Sequence, residues 1–539
     1  MAKRLTDEYI QQLIHRGEVG DFLAWLELGE RYFDGKGVGI DYDKAERYFL
    51  LAEKAGVHCE NDLGCIYLSK DNPEDFIKAF EYFKRSVEDD NKMAWFYLGY
   101  CYENGFGVKA DADKAVAHYK KAVEYNIPLA MLNCGNILLN SGKIEEAIEI
   151  FEKAVPLGES RAAYNLGFIY EFEYDFVDGE KSLYWYKKAI ELGDISANYD
   201  VATLYYRGEI IEKDVQKAFQ YYKLGADKGN ADCLTSLAIC FHKGEGTSQS
   251  YEKAFDLFKK AAKKDNSVAQ AYLGEYYEKG YVRKDRKRAF YWYKQAALNG
   301  HPDAQYNLGV CYEQGNGVEK DLEQAFAWYS EAAENGCDEA QFDLAEAYDK
   351  GKFFKQNNEK AFHWYFVAAE NGHAMAMHNL GCCFFNGQGK EKDVQKAREW
   401  WESSIKNGCK DSFLSLGNIY YYGIGTEPDY EKGIAYFKQA AECGDANAYN
   451  NLGIAYQDEK FLPTDNTLAV EYYRRAIEKG SFQGCYNLAR CYEVGLGMER
   501  NLEESAKLYI RAIEGGIKEA LAGLARVVRM HEEEKKKFR

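Results

Sequence analysis

Four groups of residues in this sequence have types and spacings that suit chemistry. Ser403 and Lys406 have the Ser-x-x-Lys spacing of an acyl-transfer nucleophile, and three nearby histidines offer metal ligands. Five cations within six residues offer a site for a phosphate or an acidic partner; they are Arg283, Lys284, Arg286, Lys287 and Arg288. An asparagine also recurs, and its amide can pair with the backbone of an extended peptide. The recurring asparagines are Asn133, Asn165, Asn307, Asn379, Asn451 and Asn487.

The catalytic and metal interpretations are weak. The segment "SSIK", which holds Ser403 and Lys406, falls near the end of a predicted helix where neighbouring repeats have "EAAE" and "VAAE", so coincidence is the simpler explanation. His363, His373 and His378 are spaced by ten and by five residues, which does not align them on one helical face. We therefore predict no catalytic residues, no metal site and no cofactor.

The basic cluster has two interpretations. It falls in a predicted loop and at the start of the next helix, where a solvated surface is the simpler one. In an otherwise acidic chain, five adjacent cations also suit the docking of an acidic segment or a phosphate. The second interpretation stays open.

A small residue returns with a regular period. Its positions are 35 or 36 residues apart, except for one step of 32, and we number each repeat from this residue as position zero. The residues at position zero are Gly29, Gly64, Gly99, Gly135, Gly167, Ala202, Ala238, Gly274, Gly309, Ala345, Gly381, Gly417, Gly453 and Ala489. Fourteen repeats of this length predict an array of helical hairpins.

The pattern within each repeat predicts two helices whose axes approach closely where they cross. A second small residue follows about sixteen positions later, and an aromatic residue follows that one by four. Since glycine in a helix interior costs roughly 1 kcal/mol relative to alanine, we expect the missing Cβ to let the helix axes approach to about 8 Å. Position −2, which holds the recurring asparagines, falls away from the buried stripe. Asp62, Asp200 and Asp343 share that register.

The second helix of each repeat is predicted to begin after a capping side chain. An oxygen at this position accepts from the free backbone N–H groups of the first turn. The predicted caps are Asp41, Asp75, Asp111, Asp178, Asp214, Ser250, Asp285, Asp321, Asn357, Asp393, Asp429, Asp465 and Asn501.

The pattern from Ala304 to Gly336, A-x-Y-x-L-G-x-x-Y-x-x-G-x-G-V-x-x-D-x-x-x-A-x-x-W-Y-x-x-A-A-x-x-G, closely resembles the Sel-1-like repeat, a relative of the tetratricopeptide repeat. The resemblance covers nearly the whole chain. It implies an all-α fold, a right-handed α/α superhelix or solenoid of about fourteen helix-hairpin repeats. It also implies an adaptor or scaffold that holds protein partners on its concave surface.

The repeats define three segments of the chain. Residues 1–23 are predicted to form an N-terminal capping helix, and residues 24–516 to form fourteen repeats in one solenoid. Residues 517–539 are predicted to form a C-terminal capping helix and a charged tail.

Composition limits the possible partners and location. The chain of 539 residues has a net charge of −18, which argues against nucleic acid and anionic membranes as partners. It contains no apolar run long enough to cross a membrane. The fourteen cysteines fall at apolar positions of the helical pattern, which indicates reduced core thiols. We expect a cytoplasmic, monomeric protein.

The predicted function is a protein-interaction scaffold without catalysis, with a protein or peptide as its partner. Two alternatives stay open: an enzyme of the β-lactam-hydrolysing type, and a regulatory subunit that binds a phosphorylated ligand at the basic cluster. Cysteine-rich secreted members of the resembled family hydrolyse β-lactams and carry disulfides between cysteines eight residues apart. Here Cys485 occupies the second of those places, but Ile477 fills the first.

The asparagines at position −2 have two competing roles, and alanine substitution separates them. If they line a peptide-binding groove, Asn→Ala changes weaken the binding of a partner peptide while the melting temperature stays constant. If they only join neighbouring hairpins, both quantities fall together. Titration of the peptide and thermal unfolding of the same variants make the measurement.

Overall fold

The structure is a computed structural model that describes residues 2–352, 355–458 and 463–537. The described residues form thirty α-helices and no strand, which confirms the all-α prediction. They group into two units, residues 1–266 and residues 267–539, and each unit is described by itself. Within each unit every helix packs on the next helix along the chain, so each is a solenoid-like stack of hairpins.

Fourteen hairpins are present, and each has a first and a second helix. The first helices are α2 (Leu23–Asp34), α4 (Glu60–Ser69), α6 (Lys92–Asn104), α8 (Pro128–Asn140), α10 (Ser160–Phe172), α12 (Ala197–Arg207), α14 (Ala231–Lys243), α16 (Ser267–Glu275), α18 (Pro302–Gln314), α20 (Asp338–Lys350), α22 (Ala374–Asn386), α24 (Ser412–Tyr422), α26 (Ala446–Gln457) and α28 (Phe482–Val494). The second helices are α3 (Tyr42–Lys54), α5 (Pro73–Glu88), α7 (Ala112–Glu124), α9 (Ile144–Ala154), α11 (Gly179–Glu191), α13 (Val215–Asp227), α15 (Tyr251–Ala262), α17 (Arg286–Leu298), α19 (Leu322–Glu334), α21 (Asn358–Glu370), α23 (Val394–Lys406), α25 (Tyr430–Glu442), α27 (Asn466–Glu478) and α29 (Leu502–Glu514).

Single helices flank the hairpins. At the N-terminus, α1 (Ala2–Glu18) packs Leu13 against Ala24 and Leu28 of α2. At the C-terminus, α30 (Ala520–Lys537) packs on α29. The predicted end segments also include Met1, Phe538 and Arg539, which lie outside the described residues.

The small residue at position zero lies under an aromatic ring of the second helix. A Cβ built on Gly309 would fall 2.7 Å from ring atoms of Tyr329, and one on Gly417 would fall 2.5 Å from Phe437. All ten glycines at this position meet a ring of the second helix in this way. The glycine therefore makes room for a ring, whereas the sequence had suggested only that it brings the two helix axes together.

The second small position is also packed against the first helix. Where it holds serine, the hydroxyl is satisfied across the helix crossing: Ser182 Oγ donates to the Gly167 carbonyl at 2.9 Å, and Ser505 Oγ donates to the Ala489 carbonyl at 2.8 Å. Both serines are fully buried, so these bonds remove the cost of an unpaired hydroxyl.

The loop between the two helices of a hairpin closes through the capping residue. The Asp321 carboxylate accepts from the Gln324 backbone N–H at 3.0 Å, and the Asp321 N–H donates to the Tyr312 carbonyl at 2.9 Å. Twelve of the thirteen predicted caps are confirmed.

Asp75 was wrongly predicted as a cap. In its hairpin the side chain of Asn72 caps α5 and accepts from the Asp75 N–H at 3.1 Å. Pro73 is suited to the first helical position because it has no N–H to satisfy, so the helix begins three residues earlier than expected.

Loops also contact the preceding hairpin. The α-carbon of Gly317, in the loop after α18, lies so close to the Arg286 carbonyl of α17 that a Cβ would collide with it. Gly317 has a φ of +79°, which favours glycine for a second reason. Gly389 and Gly497 meet the first turn of the preceding second helix in the same way.

The cysteines match the prediction of reduced core thiols. All fourteen are free, and only Cys443 among them is exposed. Burial raises the pKa of Cys134 to about 11 and that of Cys311 to about 12, so these thiols stay protonated at neutral pH.

The contact between Gly309 and Tyr329 predicts that Gly309→Ala destabilises the protein. The added methyl would overlap a ring that is 4% exposed, and overpacking of this kind costs about 1–3 kcal/mol. Helix propensity returns at most about 1 kcal/mol. We expect a lower midpoint of thermal unfolding; a higher midpoint would show that the ring moves aside freely. The reverse change Ala345→Gly is the control: it creates no overlap and should lose about 1 kcal/mol of helix propensity together with the packing of one buried methyl group.

The first-helix surface as candidate functional site

The first helices carry a polar surface beside the ring contacts. We define the first-helix surface as positions −2, +1 and +4 of each repeat. In the second unit two cavities open on it between neighbouring first helices. The predicted asparagines occupy position −2 of this surface, and the structure places them in several different surroundings.

Three of the asparagines bond to the first helix of the preceding hairpin. Asn165 Nδ2 donates to Asn136 Oδ1 at 2.7 Å, and Asn451 Nδ2 donates to Asn418 Oδ1 at 2.9 Å. Asn487, which is 8% exposed, donates to Asn450 Oδ1 at 2.8 Å. These amide pairs join neighbouring hairpins, which is the structural role that the sequence left open.

The other three asparagines contact a ring or a cavity. Asn133 Nδ2 donates to the Tyr119 hydroxyl at 3.1 Å, and Asn379 bonds to the hydroxyl of Tyr365. Asn307 lines the larger cavity of the second unit. Binding of a partner by the six asparagines stays a prediction, and Asn307 is the member best placed for it.

Carboxylates at position +4 connect the first-helix surface to the buried rings. Tyr186, Tyr293 and Tyr329 each donate their hydroxyl to the glutamate at position +4 of their own hairpin. These glutamates are Glu171, Glu278 and Glu313, at 2.9, 2.8 and 2.9 Å. Burial raises the pKa of each tyrosine and the nearby carboxylate raises it further, so the phenols remain proton donors.

We had not predicted these carboxylates, although the sequence contains a signal for them. Every acidic residue at position +4 belongs to a repeat whose buried ring is tyrosine. These residues are Glu103, Glu171, Glu278, Glu313, Asp349 and Glu493. Where the ring is Phe83 or Phe151, position +4 is leucine. The phenol needs an acceptor and the phenyl ring does not, so the two positions vary together.

The larger cavity lies between α16 and α18 and has a volume of about 460 Å³. Its wall includes Tyr272, Glu275, Glu278, Asp303 and Asn307. Glu278 lies in a π-helical turn, Tyr276–Gly280, that continues α16. Such turns are rare and occur frequently at functional sites.

A second cavity of about 320 Å³ lies one hairpin further, between α18 and α20. Here the carboxylates already have cationic partners: Lys352 Nζ lies 3.3 Å from Glu313, and Lys350 Nζ lies 2.6 Å from Glu346. Asp343 also lines this cavity and accepts from the Tyr306 hydroxyl at 2.9 Å.

The basic cluster is partly engaged within its own hairpin. Arg288 donates to the Tyr277 hydroxyl at 3.2 Å and lies 3.5 Å from Asp285. Lys284 and Arg286 line a cavity of about 110 Å³, but Glu278 shares its wall and offsets part of their charge. Arg283 and Lys287 are exposed. The cluster thus combines solvent-exposed cations with one small cavity whose wall carries both positive and negative charge.

The three histidines have separate surroundings. His373 caps α22 by accepting from the Ala376 N–H, His378 lies 2.8 Å from Ser412 Oγ, and His363 contacts the ring of Trp364. The structure does not bring the three together into one ligand set.

Another group of potential metal ligands was missed in the sequence. His58 Nδ1 lies 3.7 Å from Glu60 and 3.4 Å from Asp89. Arg85 lies 3.6 Å from Glu60, so a guanidinium already neutralises part of this charge.

Ser403 and Lys406, from the Ser-x-x-Lys motif, lie in the last turns of α23.

Half-buried carboxyl groups at position −2 predict a pH-dependent stability. Burial, together with Glu171, raises the pKa of Asp200 to about 7, whereas in an unfolded chain it is about 3.9. The folded state therefore holds this proton more tightly, and the stability from the group is lost as pH rises through 7. We expect Asp200→Asn to raise the unfolding midpoint more at about pH 8 than at about pH 4.

The matched control is Asp227→Asn, since Asp227 is an exposed residue of the neighbouring helix α13. It should change the midpoint little at either pH. An equal gain from Asp200→Asn at both pH values would contradict the raised pKa.

Comparison with known proteins identifies the repeats. The Sel1 repeat family model matches thirteen segments, residues 26–57, 58–91, 93–124, 160–194, 195–230, 231–266, 267–301, 302–337, 338–373, 374–409, 414–445, 446–481 and 483–517. The unmatched stretch, residues 125–159, contains α8 and α9. These form the fourth hairpin, which has the shortest repeat and lacks the glycine-rich loop.

Similarity to curated proteins is confined to parts of their length. An F-box protein of Arabidopsis thaliana is 29% identical over 106 residues, which are 20% of this chain and 30% of that protein. Chitin synthase regulatory factor 3 of Schizosaccharomyces pombe is 30% identical over 145 residues, 25% of this chain and 16% of the relative. The ERAD-associated E3 ubiquitin-protein ligase component HRD3B of Arabidopsis thaliana is 31% identical over 112 residues, 20% and 18% of the two chains. This chain thus spans less than a third of each relative.

No helix among the described residues is long and apolar enough to span a membrane.

One solved structure has the same architecture over most of this chain. The protective antigen c5321 of uropathogenic Escherichia coli, which has an SLR fold, is 25% identical with a TM-score of 0.56 over 84% of this chain and 90% of that chain. A Sel1 repeat protein from Oxalobacter formigenes is 26% identical with a TM-score of 0.42 over 57% and 89%. With thirteen matched repeats across most of its length, this chain belongs to the Sel1 repeat family.

Proposed function

We propose that this protein is a non-catalytic interaction scaffold that binds a protein partner along the first-helix surface. The observation that carries the proposal is the pair of adjacent cavities between neighbouring first helices. Both have polar and aromatic walls and are built on packed helices, so little conformational freedom is lost when a partner binds.

The similar proteins support an accessory role. One is named a regulatory factor of chitin synthase and another a component of a ubiquitin ligase. Neither name describes catalysis. We extend to this chain only the general role of a protein-binding module.

The histidines and cysteines, which could have served catalysis, make structural contacts instead, and this supports a non-catalytic role. His378 lies 2.8 Å from Ser412 Oγ, His373 caps a helix, and all cysteines except Cys443 are buried or half-buried. The acidic charge favours a protein surface over nucleic acid as the partner. We further propose that the chain works as a monomer in the cytoplasm, a setting in which free thiols persist.

Site-specific photo-crosslinking tests the proposal. A photoreactive residue is placed at Asn307, on the first-helix surface, or at Glu331, which is exposed on second helix α19. Captured proteins are identified by mass spectrometry and then titrated against the purified chain. We expect an identified protein to be captured from position 307 and not from position 331, and to bind the purified chain directly. Equal capture from both positions, or none from either, would overturn the proposal.

A further inference from the structure

The cavity between α16 and α18, named here the α16–α18 cavity, has an excess of negative charge. Glu275 and Glu278 of its wall are half-buried, and Asp303 lies at its edge. One cation, Lys279, shares the wall and is exposed, as Asp303 is, so the carboxylates outnumber the cation by three to one. His301 does not add positive charge at neutral pH, because burial lowers its pKa.

Aromatic rings complete the wall. Tyr272 and Tyr293 both line the cavity, but Tyr293 is 2% exposed and covers Gly274, so Tyr272 is the ring of the two with accessible surface. Glu278 accepts from the Tyr293 hydroxyl through Oε2 at 2.8 Å. A carboxylate has two oxygens with about four acceptor sites, so Glu278 retains capacity for a further donor. Tyrosine faces beside carboxylates are the surroundings that a planar cation prefers.

The neighbouring cavity between α18 and α20 provides an internal comparison. It has the same tyrosine–glutamate pair, Tyr329 with Glu313, but Lys352 and Lys350 form ion pairs with its glutamates. In that cavity, lysines of the chain itself already neutralise the glutamates. In the α16–α18 cavity three carboxylates share the wall with one cation, Lys279, so a partner can supply further positive charge.

We propose that the α16–α18 cavity receives an arginine side chain from an extended segment of the partner. A guanidinium stacks on tyrosine and presents five N–H donors in a fixed plane, which matches several carboxylates around one cavity. The ammonium group of lysine matches this arrangement less well because it is a compact point charge. The volume of 460 Å³ leaves room for the side chain together with bridging water.

This inference rests on the proposed function, because it specifies what the partner presents to the first-helix surface. The spacing of the hairpins also determines how many residues of the partner segment separate neighbouring binding positions. Neighbouring helices pack about 8–10 Å apart, and an extended chain advances about 3.3 Å per residue, so about three residues cross each hairpin. A peptide with an arginine at every third position therefore needs a shift of at most one residue to place an arginine at the cavity.

The experiment measures binding of such a peptide to the whole purified chain by fluorescence anisotropy at about 0.15 M salt. The probe is a labelled Gly-Gly-Arg repeat of about 12 residues. One comparison peptide has citrulline in place of arginine, which keeps the shape and removes the charge. Another has lysine.

The variant that tests the site is Glu275→Gln, Glu278→Gln and Asp303→Asn combined, which removes the charge and keeps the hydrogen-bond acceptors of Tyr293 and Tyr281. The matched control neutralises three exposed carboxylates of second helix α19, Glu323, Glu331 and Glu334, and changes the net charge equally. Unfolding midpoints confirm that both variants fold.

We expect the arginine peptide to bind the chain, and the site variant to bind it roughly tenfold more weakly or worse, with the α19 control unchanged. The citrulline peptide should bind weakly to all three proteins, and the lysine peptide should fall between. Equal weakening in both variants would mean attraction to net charge alone and would overturn the inference, as would equal binding of the arginine and citrulline peptides.

The outcomes separate this inference from the proposed function. If photo-crosslinking at position 307 identifies a partner but the site variant binds the arginine peptide normally, the scaffold proposal stands and the arginine site fails. If the arginine peptide binds through the cavity but no protein is captured there, the arginine site stands and the scaffold proposal fails.

Discussion

The contact between a second-helix ring and the bare backbone of the first helix determines the structure of each hairpin. The ring reaches the first helix only where no side chain larger than a methyl group intervenes. Ten of the fourteen positions are glycine, despite the cost of glycine inside a helix. Among the rings, Tyr186, Phe258 and Phe437 are fully buried. Dispersion contacts of a buried ring with the backbone it covers offset the lost helix propensity.

The same contact extends from the core to the surface. A tyrosine at the ring position donates a hydrogen bond from its hydroxyl to a carboxylate at position +4. The residue that closes the hairpin therefore also orients an acid on the first-helix surface. The amide pairs between Asn165 and Asn136, and between Asn451 and Asn418, then align neighbouring first helices. Packing of the core and chemistry of the surface therefore depend on shared residues.

Much of the fold was predictable because its signals are local or periodic. The period, the helix pairs and most caps follow from single residues at fixed spacing. Asp75 was misassigned because two capping residue types occur three positions apart, and Pro73 favours the earlier start. The aromatic spacing predicted Tyr329 on the face that meets the helix crossing, but not that its ring lies directly over Gly309. The cavities depend on side-chain shapes from separate helices, so the sequence pattern did not reveal them.

The coupling of tyrosine at the ring position to an acid at position +4 operates inside a single hairpin. A gene segment of one repeat length therefore carries both a closed core and its own surface charge. Duplication of such a segment transmits its recognition chemistry together with its stability. By contrast, Gly317 and Arg286 meet across two hairpins, so a duplicated segment also has to match the first turn of its new neighbour. Surface charge can thus differ from one repeat to the next, whereas each joint between repeats must fit both of its neighbours.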